Sequence, residues 1–384
     1  MPSVSIAGST GSIGRQTLEV IDRDGDRFAV VALAAGHASD LLLEQVQRFE
    51  PELVSVANAT EAEALRSRVD RSVRIVHGEE GLSELAAMGD TCVNGVVGFA
   101  GLPVTLSALE AGRRLALANK ESLIAAGPVV RRVLEAGGGE ILPVDSEHAA
   151  IHQCLHGAQA GRSVAKLWLT ASGGPFRETP AAQLEEVSVA DALAHPTWSM
   201  GAKITVDSST LMNKGLEVLE ARELFGVPLH HISVVVHPQS IVHSMVEFTD
   251  GSTLAQLSEP DMRLPISYAL HFPERGSLPF SPLDLTKATE LSFEPPDRSR
   301  FRCLDLAYAA GNAGPAGPAW VSAANEVAVE AFLAGRIGWV QIAELIELAL
   351  DQVPDRELEV LGDVVAVDAE AREVTGHLLA NLST

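Results

Sequence analysis

Residues 3–14 read SVSIAGSTGSIG, and the fold turns on how this stretch is read. A short apolar run, Val4 to Ala7, leads into Gly8, Gly11 and Gly14, and these lead into the amphipathic pattern of a helix. Glycines at such a place permit a tight turn and the close approach of a pyrophosphate, whose charge is met by backbone N–H groups at the helix start. The spacing is GxxGxxG rather than GxGxxG, so the motif alone also fits a plain strand-to-helix turn. Its surroundings favour the dinucleotide reading. Outward from it, VSIAG, FAVVALAAG, ELVSVA, VRIVHG, TCVNGVVG, RLALAN and EILPV alternate with helical patterns up to about residue 145. Near-continuous apolar strands joined by helices predict a doubly wound parallel sheet covered on both faces. The second strand ends at Gly36, followed by His37 and Ala38, with no acidic residue to hold a free ribose 2′-hydroxyl. That favours NADP over NAD.

Beyond Asp145 the pattern changes to a short helix (EHAAIHQCL), a strand (KLWLTA), a Gly/Pro-rich stretch at 173–201 and a helix at about 209–226. The strands ISVVV, SIVHSMVEF and STLAQLS then cluster, and a helix follows at about 260–270. Strands arriving in runs predict an α+β domain with a partly antiparallel sheet. Residues 273–299 read as a linker or strap, and CLDLAYAAG, VSAANEVAVEAFL, WVQIAELIELAL and REVTGHLLANL as C-terminal helices. The expected division is 1–145, 146–272, 273–299 and 300–384.

Composition narrows the function. Against 28 basic residues stand 51 acidic ones, a formal charge of −23 over 384 positions. Such a field disfavours unspecific binding to nucleic acid or anionic lipid, so neither is an expected partner. Three widely spaced cysteines, Cys92, Cys154 and Cys303, fit neither a disulfide framework nor a zinc ribbon. No basic-apolar leader and no run of about 18 apolar residues is visible, and the cytoplasm is the expected location. The basic residues divide into 23 arginines and five lysines, and three of those lysines (Lys120, Lys203 and Lys214) fall in segments rich in other polar groups. A lysine kept in an arginine-using chain hints at a need for a compact ammonium.

Two carboxylates, Asp145 and Glu147 in PVDSEH, leave a strand and start a helix, where open α/β sheets place ligands. They also suit a helix start for reasons of dipole alone. A third, Glu217 in MNKGLE, shares a helix face with Asn213 and Lys214. Asp145, Glu147 and Glu217 together give an all-oxygen set that suits Mg²⁺ or Mn²⁺ better than zinc. A rival zinc reading rests on His148, His152 and His156, one turn apart, although a solvated or interfacial face explains that stripe more simply. Ser146, Ser172 in TASGGPF and Ser208 join Lys214 as parts of an anion pocket, with plain N-capping as the alternative for the serines. His195, Trp198 and Met200 lie on a Gly/Pro-flanked segment that would serve as a lid.

At this point GSTGSIG, ANKESL, PVDSEHAAI, SGGPF, HPTWSMGAKITVDSSTLMNKGLEVLEA, HPQSIVHSMVEF, SEPDMRLPI and AANEVAVEAFL, in order from residue 8 to about 333, resemble the 1-deoxy-D-xylulose 5-phosphate reductoisomerase family. The resemblance implies an α/β protein with an N-terminal Rossmann-like domain, a central α+β catalytic domain, a linker and a C-terminal helical bundle, working as a homodimer with NADPH and Mn²⁺ or Mg²⁺. It implies a small phosphorylated sugar as substrate, rearranged and then reduced in the non-mevalonate route to isoprenoids. By the same resemblance Asp145, Glu147 and Glu217 bind the metal, and Ser146, Lys120 and Asn213 lie near the substrate's hydroxyls. Ser172, His195, Ser208, Asn213 and Lys214 hold its phosphate, and Trp198 closes over it. Thr10, Gly11, Ser12 and Ile13 line the pyrophosphate. Gly36, His37, Asn119, Glu121, Met200, Gly201 and Met262 complete the cofactor site, the two methionines near the nicotinamide. Where the family often has a Lys-Asn pair, this chain has His37 and Ala38, leaving His37 and Ser39 as substitutes at the 2′-phosphate. Two rivals are a dehydrogenase for another phosphorylated carbonyl, which needs no three carboxylates, and a non-catalytic nucleotide-binding regulator, which needs no complete metal set.

Overall fold

The computed structural model describes residues 1–156, 163–195, 200–277, 282–287 and 290–382. Seven strands, β1 (Ser3–Ala7), β2 (Ala29–Ala34), β3 (Leu53–Val56), β4 (Arg74–His77), β5 (Thr91–Asn94), β6 (Arg114–Leu117) and β7 (Glu140–Pro143), form one parallel sheet in the order β4-β3-β2-β1-β5-β6-β7. All seven predicted strands of the first segment are in this sheet. The inner strands β3 and β5 are buried at every position, whereas the edge strand β4 is not, as expected for a sheet covered on both faces. Chain order reverses direction between β1 and β5, the switch point at which open sheets of this kind bind ligands.

A second sheet has four strands, β8 (Val164–Ala171), β9 (Ile232–Val236), β10 (Val242–Phe248) and β11 (Thr253–Leu257), in the order β11-β10-β8-β9. β10 runs antiparallel to both β8 and β11, and β8 pairs parallel with β9. The sheet is thus mixed, as the run of strands suggested.

The described residues group into two compact units, one within Met1–Ser122, Val130–Ala149 and Asp261–Ser281, the other within Leu123–Val129, Ala150–Pro260 and Pro282–Thr384. This grouping differs from a division at 145, 272 and 299, for reasons of packing. The helix Arg263–His271 buries Ile266, Ala269 and Leu270 in the core of the first unit, with Val4, Ile6 and Leu142. The C-terminal helices Cys303–Asn312, Gly317–Leu333, Trp339–Leu350 and Leu361–Leu382 share one core with the second sheet. In that core Leu167, Leu169 and Val246 meet Leu216 and Leu219, and beyond them Ala307, Phe332, Trp339 and Ile342. At Gly215 an added Cβ would stand 2.5 Å from Ala307 Cβ, so two helices approach there as closely as a missing side chain allows. The strap after the second sheet is tied down as well: Glu294 bridges Val236, and His237 Nδ1 lies 2.8 Å from Ser292 O. Among the described residues no helix is long and apolar enough to cross a membrane.

The expected helix at 209–226 is the helix Met212–Phe225, and a separate helix that was not expected, Ala202–Ser209, precedes it. Leu211 takes φ 60° between them, and the Met212 N–H is recovered by Thr210 Oγ1 at 3.2 Å. Ser208 therefore sits in the last turn of the first helix and does not cap the second.

Candidate active site

In the first unit, β1 ends at Gly8, whose φ of +84° and whose position both demand glycine: an added Cβ would lie 2.7 Å from Gly95 O, on the far side of the switch point. A side chain at Gly14 would collide with the Gly8 carbonyl oxygen. The turn is fastened from beneath, with Gly8 N and Ser9 N donating to Ala34 O at 3.0 and 2.8 Å and buried Ser9 Oγ donating to Gln45 Oε1 at 2.8 Å. The helix Ser12–Arg23 begins with Gly11 at its N-cap and no side-chain cap. Its first N–H groups are the donors with which such a helix start meets a phosphate. The cradle thus fits a dinucleotide pyrophosphate at Thr10, Gly11, Ser12 and Ile13.

Other residues assigned to the cofactor are placed individually. Asn119, 1% exposed, caps the helix Lys120–Glu135 through Ser122 N and donates to Val96 O and Gly98 O at 2.7 and 2.8 Å. It holds the loop after β5 in place, and Glu121 is buried beside it. Gly36 accepts from Ala57 N, His37 is exposed, and Ser39 caps the helix Asp40–Phe49 by accepting from Leu42 N. Met262 packs against the core of the first unit, and Gly201 is the N-cap of the helix Ala202–Ser209. Met200 is half-buried, and Trp198 lies outside the described residues.

The strand β7 delivers Asp145 to the start of the helix Ser146–Leu155. Asp145 Oδ1 accepts from Glu147 N at 3.1 Å and lies 3.0 Å from His148 Nδ1, while Oδ2 accepts from Lys120 Nζ at 2.9 Å. Capping and ion pairing therefore coexist in one carboxylate. Lys120 and His148 are buried, so the anionic charge of Asp145 is balanced in a water-poor setting. Ser146 Oγ donates to the Glu147 carboxylate. The histidine stripe does not converge: His148 faces Asp145, and His152 and His156 stack on each other with centroids 6.2 Å apart.

In the second unit, Glu217 is 1% exposed and receives Asn213 Nδ2 at 2.5 Å and the Lys214 ammonium. The three residues meet as their spacing on one helix predicts, with Lys214 drawn to the carboxylate. The loop after β8 places Ser172 Oγ 3.3 Å from His195 Nε2 and lies so close to the helix Ala202–Ser209 that a Cβ at Gly174 would be 2.6 Å from Ser208 O. Burial pushes the His195 imidazole below its usual pKa. Thiol nucleophiles are unsuited here, since all three cysteines are buried and burial raises Cys92 and Cys303 to about 12 and Cys154 to about 11.

Two residues escaped the sequence reading. Asp207, 1% exposed, pairs with Lys203 Nζ at 2.9 Å and accepts from Asn325 Nδ2 at 2.8 Å. Trp339 Nε1 likewise donates to Ser209 Oγ at 2.9 Å. The helix carrying Ser208 is thereby anchored to the C-terminal helices. Glu61 reaches the loop after β2, where Ala38 N donates to its Oε2 at 2.8 Å. In sequence, Glu61 reads only as the third residue after the N-cap Asn58.

A doubly wound dinucleotide-type unit, joined to a unit with buried carboxylates held by lysine and amide, defines the class of a nucleotide-dependent enzyme acting on a small polar substrate. Family models described as 1-deoxy-D-xylulose 5-phosphate reductoisomerase match residues 4–127, and models of its C-terminal domains match 141–225 and 257–374. A 1-deoxy-D-xylulose 5-phosphate reductoisomerase of Thermosynechococcus vestitus is 50% identical over 98% of this chain and 92% of its own length. One of Chloroherpeton thalassium is 50% identical over 97% of each chain. A crystal structure of DOX-P reductoisomerase with NADPH, fosmidomycin and magnesium has a TM-score of 0.95 at 41% identity, covering 100% of this chain and 99% of that one. The enzyme from Zymomonas mobilis with NADPH has a TM-score of 0.92 at 42% identity, over 98% and 99%. The chain belongs to the 1-deoxy-D-xylulose 5-phosphate reductoisomerase family.

Proposed function

We propose that this chain catalyses the NADPH- and divalent-metal-dependent isomerisation and reduction of 1-deoxy-D-xylulose 5-phosphate to 2-C-methyl-D-erythritol 4-phosphate. The observation that carries the reading is full-length kinship at 50% identity with enzymes of that name. The uncapped glycine turn at the sheet's switch point supports the cofactor part.

In this reading Asp145, Glu147 and Glu217 hold the metal, an oxygen donor set suited to Mg²⁺ or Mn²⁺. When bound, the ion supplies Lewis acidity and a template for a ketone and its neighbouring hydroxyl. Lys120, Ser146 and Asn213 orient the hydroxyls. Lys214, Ser172, Ser208, Asn213 and His195 bind the phosphate, and remote binding energy of that kind can close Trp198 over the substrate and exclude water. Thr10, Gly11, Ser12 and Ile13 take the pyrophosphate; Gly36, His37, Asn119, Glu121, Met200, Gly201 and Met262 complete the cofactor site. The functional division follows residues 1–145, 146–272, 273–299 and 300–384. A cytoplasmic homodimer is part of the same proposal, supported by the family resemblance and by three free cysteines.

The test is incubation with 1-deoxy-D-xylulose 5-phosphate, NADPH and Mg²⁺, following nicotinamide absorbance and identifying the product by NMR. A branched polyol phosphate formed mole for mole with NADP⁺ is expected. Absence of NADPH oxidation by the folded protein contradicts the proposal.

A further inference from the structure

The strand β2 ends without an acidic residue, yet the loop that follows it has acquired one from elsewhere in the chain. Glu61, on the helix Ala59–Arg66, accepts the Ala38 N–H at 2.8 Å and stands 3.2 Å from His37 Nδ1. Both bonds, the backbone one first, hold its carboxyl below the usual range, so the group is an anion at neutral pH. Other charges at this loop are Arg68, which donates to Ala38 O at 3.3 Å, and Asp40, which pairs with Arg68 at 2.5 Å. With Arg68 already matched by Asp40, and His37 83% exposed, Glu61 is the charge whose Ala38 bond is made inside the loop itself.

In a dinucleotide fold this loop meets the adenosine ribose, where a carboxylate accepts from a free 2′-hydroxyl and repels a 2′-phosphate. We propose that Glu61 is a specificity-determining residue that weakens the chain's preference for NADPH over NADH. The inference rests on the placement of the dinucleotide over Thr10–Ile13 given above. A single negative charge about 8 Å from a dianion in water changes an equilibrium by about fivefold. The repulsion acts on NADPH alone, since NADH lacks the phosphate; for NADH, loss of the charge weakens the hydrogen bond from the free 2′-hydroxyl.

The experiment compares equilibrium dissociation constants for NADPH and NADH, read by nicotinamide fluorescence without substrate, in the wild type and in Glu61→Gln. Glutamine keeps an acceptor for Ala38 N and removes the charge, and melting curves verify that the variant is folded. The expected result is NADPH binding tightened about fivefold at low salt, a smaller gain at high salt through screening, and NADH binding that does not tighten. Unchanged NADPH binding, or an equal shift for both nucleotides, overturns the proposal. Ser12→Glu separates this failure from failure of the placement: it weakens both nucleotides if the pyrophosphate lies on that helix start. If it alters neither, the placement itself is wrong and the role of Glu61 falls with it.

Discussion

Asp207 offers the sharpest stability prediction. It lies one residue before Ser208, is buried, and is gripped from two directions: Lys203 one helical turn earlier and Asn325 in the helix Gly317–Leu333. In Asp207→Leu the Asn325 amide, fully buried, loses its charged acceptor, which costs about 1.5–3 kcal/mol. The Lys203 ammonium loses its carboxylate; breaking a buried pair costs about 3–5 kcal/mol, and the lower end applies because Lys203 can still reach water. The two losses overlap, so the expected total is about 3–5 kcal/mol. Asp207→Asn keeps an acceptor and loses only the charge, for about 1–2 kcal/mol. All four tryptophans of the sequence follow residue 150, so their fluorescence in a urea titration reports on the second unit. With a slope near 3 kcal/mol/M, Asp207→Leu lowers the midpoint by about 1–1.7 M. A midpoint within about 0.2 M of wild type, or Asp207→Asn as damaging as Asp207→Leu, refutes the reasoning.

Three further outcomes are expected. Glu217→Gln lowers kcat at least about a hundredfold, and NADPH affinity stays within twofold because cofactor and metal are assigned to different segments; lost nucleotide binding in the folded variant contradicts that. Lys214→Ala raises KM for the phosphorylated substrate by about tenfold and lowers kcat if closure depends on phosphate; an unchanged KM removes Lys214 from the pocket. His195 concerns pH. Its free-state pKa is lowered by burial, so at pH 7 it is neutral, and an adjoining phosphate dianion raises it. Between those two pKa values binding takes up a proton and tightens as pH falls; above both, binding is weaker and pH-independent. Calorimetry in buffers of different ionisation heat should therefore find proton uptake in wild type and less of it in His195→Gln, and equal uptake in the two removes His195 from the phosphate.

The seven parallel strands were legible because each is an apolar run bounded by turn residues, and Asn213, Lys214 and Glu217 because their contact is local to one helix. What escaped reading depends on partners distant in sequence. Asp207 meets Asn325, 118 positions on, and Trp339 meets Ser209 across 130. The break at Leu211 was hidden because the apolar pattern runs on through it, and only Thr210 Oγ1 marks the place where the backbone turns. Helix Arg263–His271 follows the second sheet in the chain yet buries Ile266 and Leu270 in the first core, a choice no local pattern states. Glu61 was invisible for another reason: an acid three residues after an N-cap already has a sufficient explanation as part of a helix start.

In the proposed function, rearrangement and reduction share one metal-dependent site. The direct measurement follows NADPH oxidation and product formation together, before and after exhaustive chelation and again after Mg²⁺ is restored. Loss of both on chelation and recovery of both on re-addition is the predicted result. Full turnover in the chelated enzyme, or NADPH oxidation without the branched product, would contradict it.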